Sequence, residues 1–188
     1  MIVTLLSSFL VVALAEMGDK TQLVALSMAS RYRRPWAVLL GILIATTINH
    51  ALASSVGVWM ANRIPLVGVQ WVLALGFIGF GVWTLIPDRS VELARLPAWG
   101  PLVTTAVVFF LAETGDKTQL ATVALAARFG SPAAVTAGTT LGMLAADGLA
   151  IFAGSYLATR LPMVWIRRAA AALFFLFGLT IIFKRLGP

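Results

Sequence analysis

Seven acidic side chains occur in this chain of 188 residues, and five of them fall inside long apolar stretches. Four form two pairs, Glu16 with Asp19 and Glu113 with Asp116, and each pair is followed at once by Lys, Thr and Gln: Lys20, Thr21 and Gln22, then Lys117, Thr118 and Gln119. An ionisable side chain at the centre of a membrane span costs about 2.5–3.5 kcal/mol on insertion scales, so three per span, twice, sum to roughly 15–20 kcal/mol before any pairing. Such a cost needs internal pairing or a bound ion. On a continuous helix Glu16 and Asp19, at i and i+3, share a face, and Glu16 and Lys20 pair at i and i+4 in the favourable order. Gly18 and Gly115 would let the backbone open locally or approach a neighbour, and the Thr and Gln side chains add neutral oxygens. With both lysines protonated, four carboxylates against two ammonium groups leave two negative charges, which one divalent cation or two protons would neutralise. Cation and protons competing for one set of oxygens is the electrostatic condition for an exchanger, and the empty, fully ionised site is strongly disfavoured in a low-dielectric bundle.

The ligand set is hard. There is no Cys, His50 is the single imidazole, and carboxylates, hydroxyls and amides suit Mg²⁺, Ca²⁺ and Mn²⁺ better than Zn²⁺ or Cu⁺. Met17 beside Glu16 could add a soft contact, but Thr114 stands at the matching place, and ordinary packing explains Met17 as well. Asp147 is the fifth acid within an apolar stretch and reads as a proton-handling or supporting group. His50 reads as a neutral imidazole satisfied by its neighbours. Salt bridges alone, holding the molecule together, would not explain the excess of carboxylates over lysines.

The elements that carry these residues are apolar almost all round. The chain is 60% hydrophobic and 11% charged, against about 25% charged for a soluble domain. That excludes disorder and argues against a soluble enzyme. Six stretches are long enough to cross a bilayer core of about 30 Å: Val3–Ala29, Trp36–Ala61, Leu66–Ile86, Leu102–Ala127, Ala133–Ala158 and Arg168–Phe183. Short segments ending in Pro35, Pro65, Pro132 and Pro162 separate most of them, as expected where proline opens a helix. The first stretch has no basic leader and runs straight into Glu16, so it reads as a span and not as a signal peptide. The expected fold is an all-α membrane protein of six transmembrane helices.

The motif recurs 97 residues on, and the same offset without a gap pairs Arg31 with Arg128, Pro35 with Pro132, Gly41 with Gly138, Arg63 with Arg160 and Gly81 with Gly178. The expected organisation is a three-helix repeat over 1–86, a connection over 87–101 and a second repeat over 102–188. Three spans per repeat make the second copy enter from the opposite side, an inverted-topology architecture with its site near the midplane. The net charge of +7 belongs to topology, because twelve of the fourteen bases lie in loops or near span ends. Arg31, Arg33, Arg34, Arg89, Arg95, Arg160, Arg167 and Arg168 would mark the cytoplasmic face, against Arg63, Arg128, Lys184 and Arg185 opposite. Both termini would then lie outside the cytoplasm, and the charge carries no signal for nucleic acid.

The doubled Glu-x-Gly-Asp-Lys-Thr, at Glu16–Thr21 and Glu113–Thr118, resembles the signature of the transmembrane-protein-165 or Gdt-one-like family, of the lysine-exporter-like superfamily. The likeness covers essentially the whole chain, and the short connection fits a prokaryotic member in a bacterial inner membrane. The resemblance implies a manganese exporter working against H⁺ or Na⁺, with a Ca²⁺/H⁺ antiporter as the alternative. It implies Glu16, Asp19, Glu113 and Asp116 as cation ligands. The residues themselves then assign Lys20, Thr21, Gln22, Lys117, Thr118, Gln119 and Asp147 to support, with the lysines holding the unloaded carboxylates. No cofactor is expected beyond the transported Mn²⁺ or Ca²⁺. Rival readings are a small-solute exporter, which would need a roomier and less negative cavity, and a membrane assembly factor. No hydrolase constellation is present.

Overall fold

A computed structural model describes residues 1–86, 99–160 and 163–186, all of whose regular structure is helical. Eight helices follow one another: α1 (Ile2–Glu16), α2 (Lys20–Tyr32), α3 (Pro35–Arg63), α4 (Leu66–Leu85), α5 (Pro101–Glu113), α6 (Lys117–Phe129), α7 (Pro132–Arg160) and α8 (Met163–Leu186). Residues 87–98, most of the expected connection, lie outside the described residues.

The stretches read as spans one and four are not single helices. Each stops at the glutamate of the motif and restarts after the aspartate, α1 meeting α2 at 76°. Hydropathy runs unbroken through these points, which is why the sequence reads as continuous there. The backbone does not, because Gly18 and Gly115 both take φ 81°, the left-handed region that L side chains avoid. It follows that Glu16 and Asp19 do not share a helix face, and that no i, i+4 pair between Glu16 and Lys20 forms within one helix. Among the described residues, two helices are long and apolar enough to cross a membrane, Pro35–Arg63 and Pro132–Ala153, and the bent pair α1–α2 makes a third when taken as one span. The 29 residues of α3 reach about 43 Å at 1.5 Å per residue.

Helix boundaries recur with the 97-residue offset. It carries the bounds of α2 onto α6 and of α3 onto α7, and the last residue of α1 onto that of α5. Packing recurs too: α1 lies on α7 as α5 lies on α3, and α2 touches α7 as α6 touches α3. Glycine permits the close approaches. A Cβ at Gly138 would stand 2.4 Å from the Leu5 carbonyl oxygen, and one at its counterpart Gly41 would stand 2.7 Å from that of Leu102. Between α4 and α8, Phe77 and Phe80 interleave with their counterparts Phe174 and Phe177, at centroid distances of 5.5–6.4 Å.

Polar side chains are buried beside an apolar core, and the outer surface is apolar. Ser8, Thr46, Asn49, Thr104, Thr105 and Asp147 are buried, while Leu6, Leu10, Leu40, Leu111 and Phe152 face outward. Trp36, Trp59, Trp99 and Trp165 are exposed near helix ends, the placement of aromatic side chains at a membrane boundary.

Candidate cation site

Each broken helix packs across the other half, so the two breaks face one another. Carboxylate oxygens of Glu16, Asp19 and Asp116 lie within 4.8 Å of one another. All three residues are buried, at 0%, 2% and 5% exposure. Lys117 forms an ion pair with Asp19 Oδ1, tying the start of α6 to the start of α2.

Local hydrogen bonds explain why the chain breaks at these places. Asp19 caps α2, its carboxylate accepting from the Thr21 amide at 3.5 Å and the Thr21 hydroxyl at 3.2 Å. The Thr21 hydroxyl also reaches Glu16 Oε2 at 3.0 Å, and Thr118 donates in the same way to Glu113 Oε2 at 3.2 Å. The Gly18 amide donates to Gln22 Oε1 at 2.7 Å, and the Gly115 amide to Gln119 Oε1 at 2.6 Å. Both glutamine oxygens are therefore engaged by the turn. The α2 and α6 N-termini begin at Asp19 and Asp116, and their partial positive charge favours carboxylates there.

Glu113 is buried but lies outside the close trio. It acts on Glu16 through its charge, as do Asp19, Lys117 and Asp147. The side chain of Lys20 lies outside the described residues. Asp147 is fully buried on α7, and among the described residues neither of its oxygens has a hydrogen-bond partner.

The sequence reading gave Asn49 no role and Gln22 only a supporting one, yet both side chains hold backbone carbonyls of the facing half. Asn49 Nδ2 donates to the Phe110 carbonyl in the last turn of α5 at 3.0 Å, and Gln22 Nε2 donates to the Ala146 carbonyl of α7 at 2.8 Å. The signal was an amide in an apolar helix beside a histidine. His50 is buried with both ring nitrogens unpartnered, so its neighbours do not satisfy it as expected.

Three buried carboxylates, a hydroxyl bridging two of them and an opposing ammonium make an oxygen-only site of net negative charge. That is hard-cation chemistry with no nucleophile or acid–base pair arranged for bond cleavage.

A family model described as divalent cation/proton antiporter GDT1 matches residues 4–92 and 101–187. Over 177 residues the chain is 42% identical to a Vibrio cholerae protein named "Putative manganese exporter", covering 94% of this chain and 88% of the relative. It is 29% identical over 203 residues to a GDT1-like protein of Synechocystis, covering 95% and 96%. It is 29% identical over 215 residues to GDT1-like protein 5 of rice (Oryza sativa subsp. japonica), covering 92% and 90%. No solved structure matches the chain.

Proposed function

The chain belongs to the GDT1 family of divalent cation/proton antiporters, and from that premise we propose that it exports Mn²⁺ from the cytoplasm in exchange for protons. It is a membrane transporter and not an enzyme. The observation that carries the reading is the close trio of Glu16, Asp19 and Asp116 at two facing helix breaks, with Lys117 already seated on Asp19. The manganese named for the Vibrio relative supports the choice of cation.

Mn²⁺ enters as substrate among the trio and displaces the Lys117 ammonium from Asp19. Glu113, buried outside the trio, adds negative charge, and Thr21 and Thr118 orient the glutamates. Without the cation, Lys117 and protons hold the carboxylates. Asp147, buried and unpartnered beside this charge, takes up one of the exchanged protons.

The chain crosses a bacterial inner membrane six times as two inverted repeats, 1–86 and 102–188, with both termini outside the cytoplasm. Alternating access comes from rocking of the halves about the shared site. Broken helices whose ends meet at the site are a recurrent device in such transporters.

Inverted membrane vesicles test this. With the lumen acidified, Mn²⁺ should accumulate, and each addition should release protons from the lumen, read by a pH-sensitive dye. Uptake that ignores the pH gradient, or that follows a Na⁺ gradient or Ca²⁺ in preference to Mn²⁺, overturns the proposal.

A further inference from the structure

On the outside of the bundle a groove of about 230 Å³ opens between α3, α4 and α6. Its walls are apolar: Met60 and Ile64 at the end of α3, Leu73 and Gly76 on α4, Val123 and Ala127 on α6. One end is basic. Arg63 sits between Met60 and Ile64, and Arg128 directly follows Ala127. The helices run close together there, since a Cβ at Gly57 would meet the Val123 carbonyl oxygen at 2.2 Å.

Arg128 is half-buried, with its guanidinium 4.6 Å from the Phe177 ring centroid. Its Nη1 is buried and has no hydrogen-bond partner. Arg63 is exposed and lies 5.8 Å from the Trp59 ring centroid, at the level where tryptophan marks the membrane boundary. Among the described residues no carboxylate pairs with either arginine.

Inside a bilayer an apolar groove alone selects nothing, because lipid tails are as apolar as its walls. Selection has to come from the basic end. A guanidinium with a buried, unmet N–H at an apolar boundary is costly. A phosphodiester satisfies it with two parallel charge-assisted bonds, and next to two guanidiniums a headgroup with no ammonium of its own is favoured over a zwitterionic one.

We infer that this groove is a binding site for an anionic phospholipid, with one acyl chain between α3, α4 and α6 and the phosphate held by Arg128 and Arg63. Basic pockets between membrane helices bind anionic head groups elsewhere on the same principle. The sequence builds this groove in one half of the molecule. At the 97-residue offset, Leu173 stands where Gly76 does, and Ser30 stands in place of Ala127. The lipid would rest on α6, the helix whose first residue is Lys117.

The delipidated full-length protein in detergent, titrated with phosphatidylglycerol or phosphatidylcholine of identical chains and read by native mass spectrometry, decides the matter. Wild type should bind one phosphatidylglycerol about tenfold more tightly than phosphatidylcholine, the scale of a charge-assisted bond. Arg128→Gln should erase the preference while leaving chain binding. Gly76→Leu copies the residue of the other half into a space where a Cβ meets nothing closer than Phe80 at 3.9 Å, and its branched side chain should abolish binding of both lipids. Arg63→Gln covers the case in which Gly76→Leu fails to fold, and it should halve the preference or more. Equal affinity for the two lipids, an unchanged preference in both arginine variants, or a wild-type dimer that Gly76→Leu splits into monomers would each overturn the inference.

Discussion

Glu16 and Glu113 occupy matching places, each the last residue of a helix and each receiving a threonine hydroxyl, yet Glu16 joins Asp19 and Asp116 in the close trio and Glu113 does not. The surroundings have diverged in the same sense. Asp147 in α7 corresponds to His50 in α3, Met17 beside Glu16 corresponds to Thr114 beside Glu113, and Asn49 corresponds to Ala146. The last pair shows two solutions to one problem. In α3 a side-chain amide donates to a carbonyl of the facing broken helix. In α7 the backbone carbonyl itself accepts from Gln22 of the facing one. Duplication gave both halves the same broken helix, and divergence of the helix behind each break gave the acidic centre of gravity to the side of Glu16. Near-symmetry suits a carrier that must present similar barriers to both sides, while the asymmetry would set where the proposed cation rests.

The comparison breaks most visibly at the two glutamates. Glu16→Gln is expected to lower Mn²⁺ uptake into inverted vesicles by more than about 100-fold, whereas Glu113→Gln, acting from outside the trio, should cost about 10-fold, the usual scale for a group outside the ligand shell. Equal losses in correctly inserted protein would mean that the halves contribute alike. Next in size, Lys117→Met leaves Asp19 buried beside two other carboxylates without its ammonium. Breaking a buried pair costs about 3–5 kcal/mol, so the thermal midpoint in detergent should drop. Added Mn²⁺ should restore more of it than it adds to wild type, because the metal takes the place of the lost charge. A variant that melts like wild type with and without Mn²⁺ would remove Lys117 from the site. The smallest effect lies at the ends of α2 and α6, where Arg33 at φ 51° and Gly130 at φ 64° make the same left-handed cap. Arg33→Gly should stabilise by about 1 kcal/mol and Gly130→Ala destabilise by about as much. Opposite signs in unfolding measurements would show one backbone shape carried by two unequal residues.

Much of this was legible in the sequence. The offset of 97 residues predicted which helices correspond, and burial cost drew attention to Glu16, Asp19, Glu113, Asp116 and Asp147. Two things were not. A hydropathy profile averages over about a span, so it passes through Gly18 and Gly115 without noticing that their backbone turns left-handed. Periodicity within one helix cannot show that Asp19 meets residues about a hundred positions away, Asp116 and Lys117. For the same reason Gln22 and Gln119 read as supporting residues with no partner named, whereas their oxygens accept from the Gly18 and Gly115 amides at the turn. His50 was judged by how easily an imidazole finds a partner, a rule about averages that its surroundings do not follow.

The crossing of the halves, with α1 laid on α7 and α5 on α3, bears on how the molecule is made. A ribosome delivers α1 well before α7 exists, so Val12 and Ala15, buried in the finished molecule, lack the cover of α7 while most of the chain is still being synthesised. Glu16 waits with them. Neither half is a folding unit that could be completed and set aside. The early helices must be kept in a loose, partly hydrated state until the late ones arrive, and chains truncated before α7 should be cleared by membrane proteases and not accumulate as stable half-molecules.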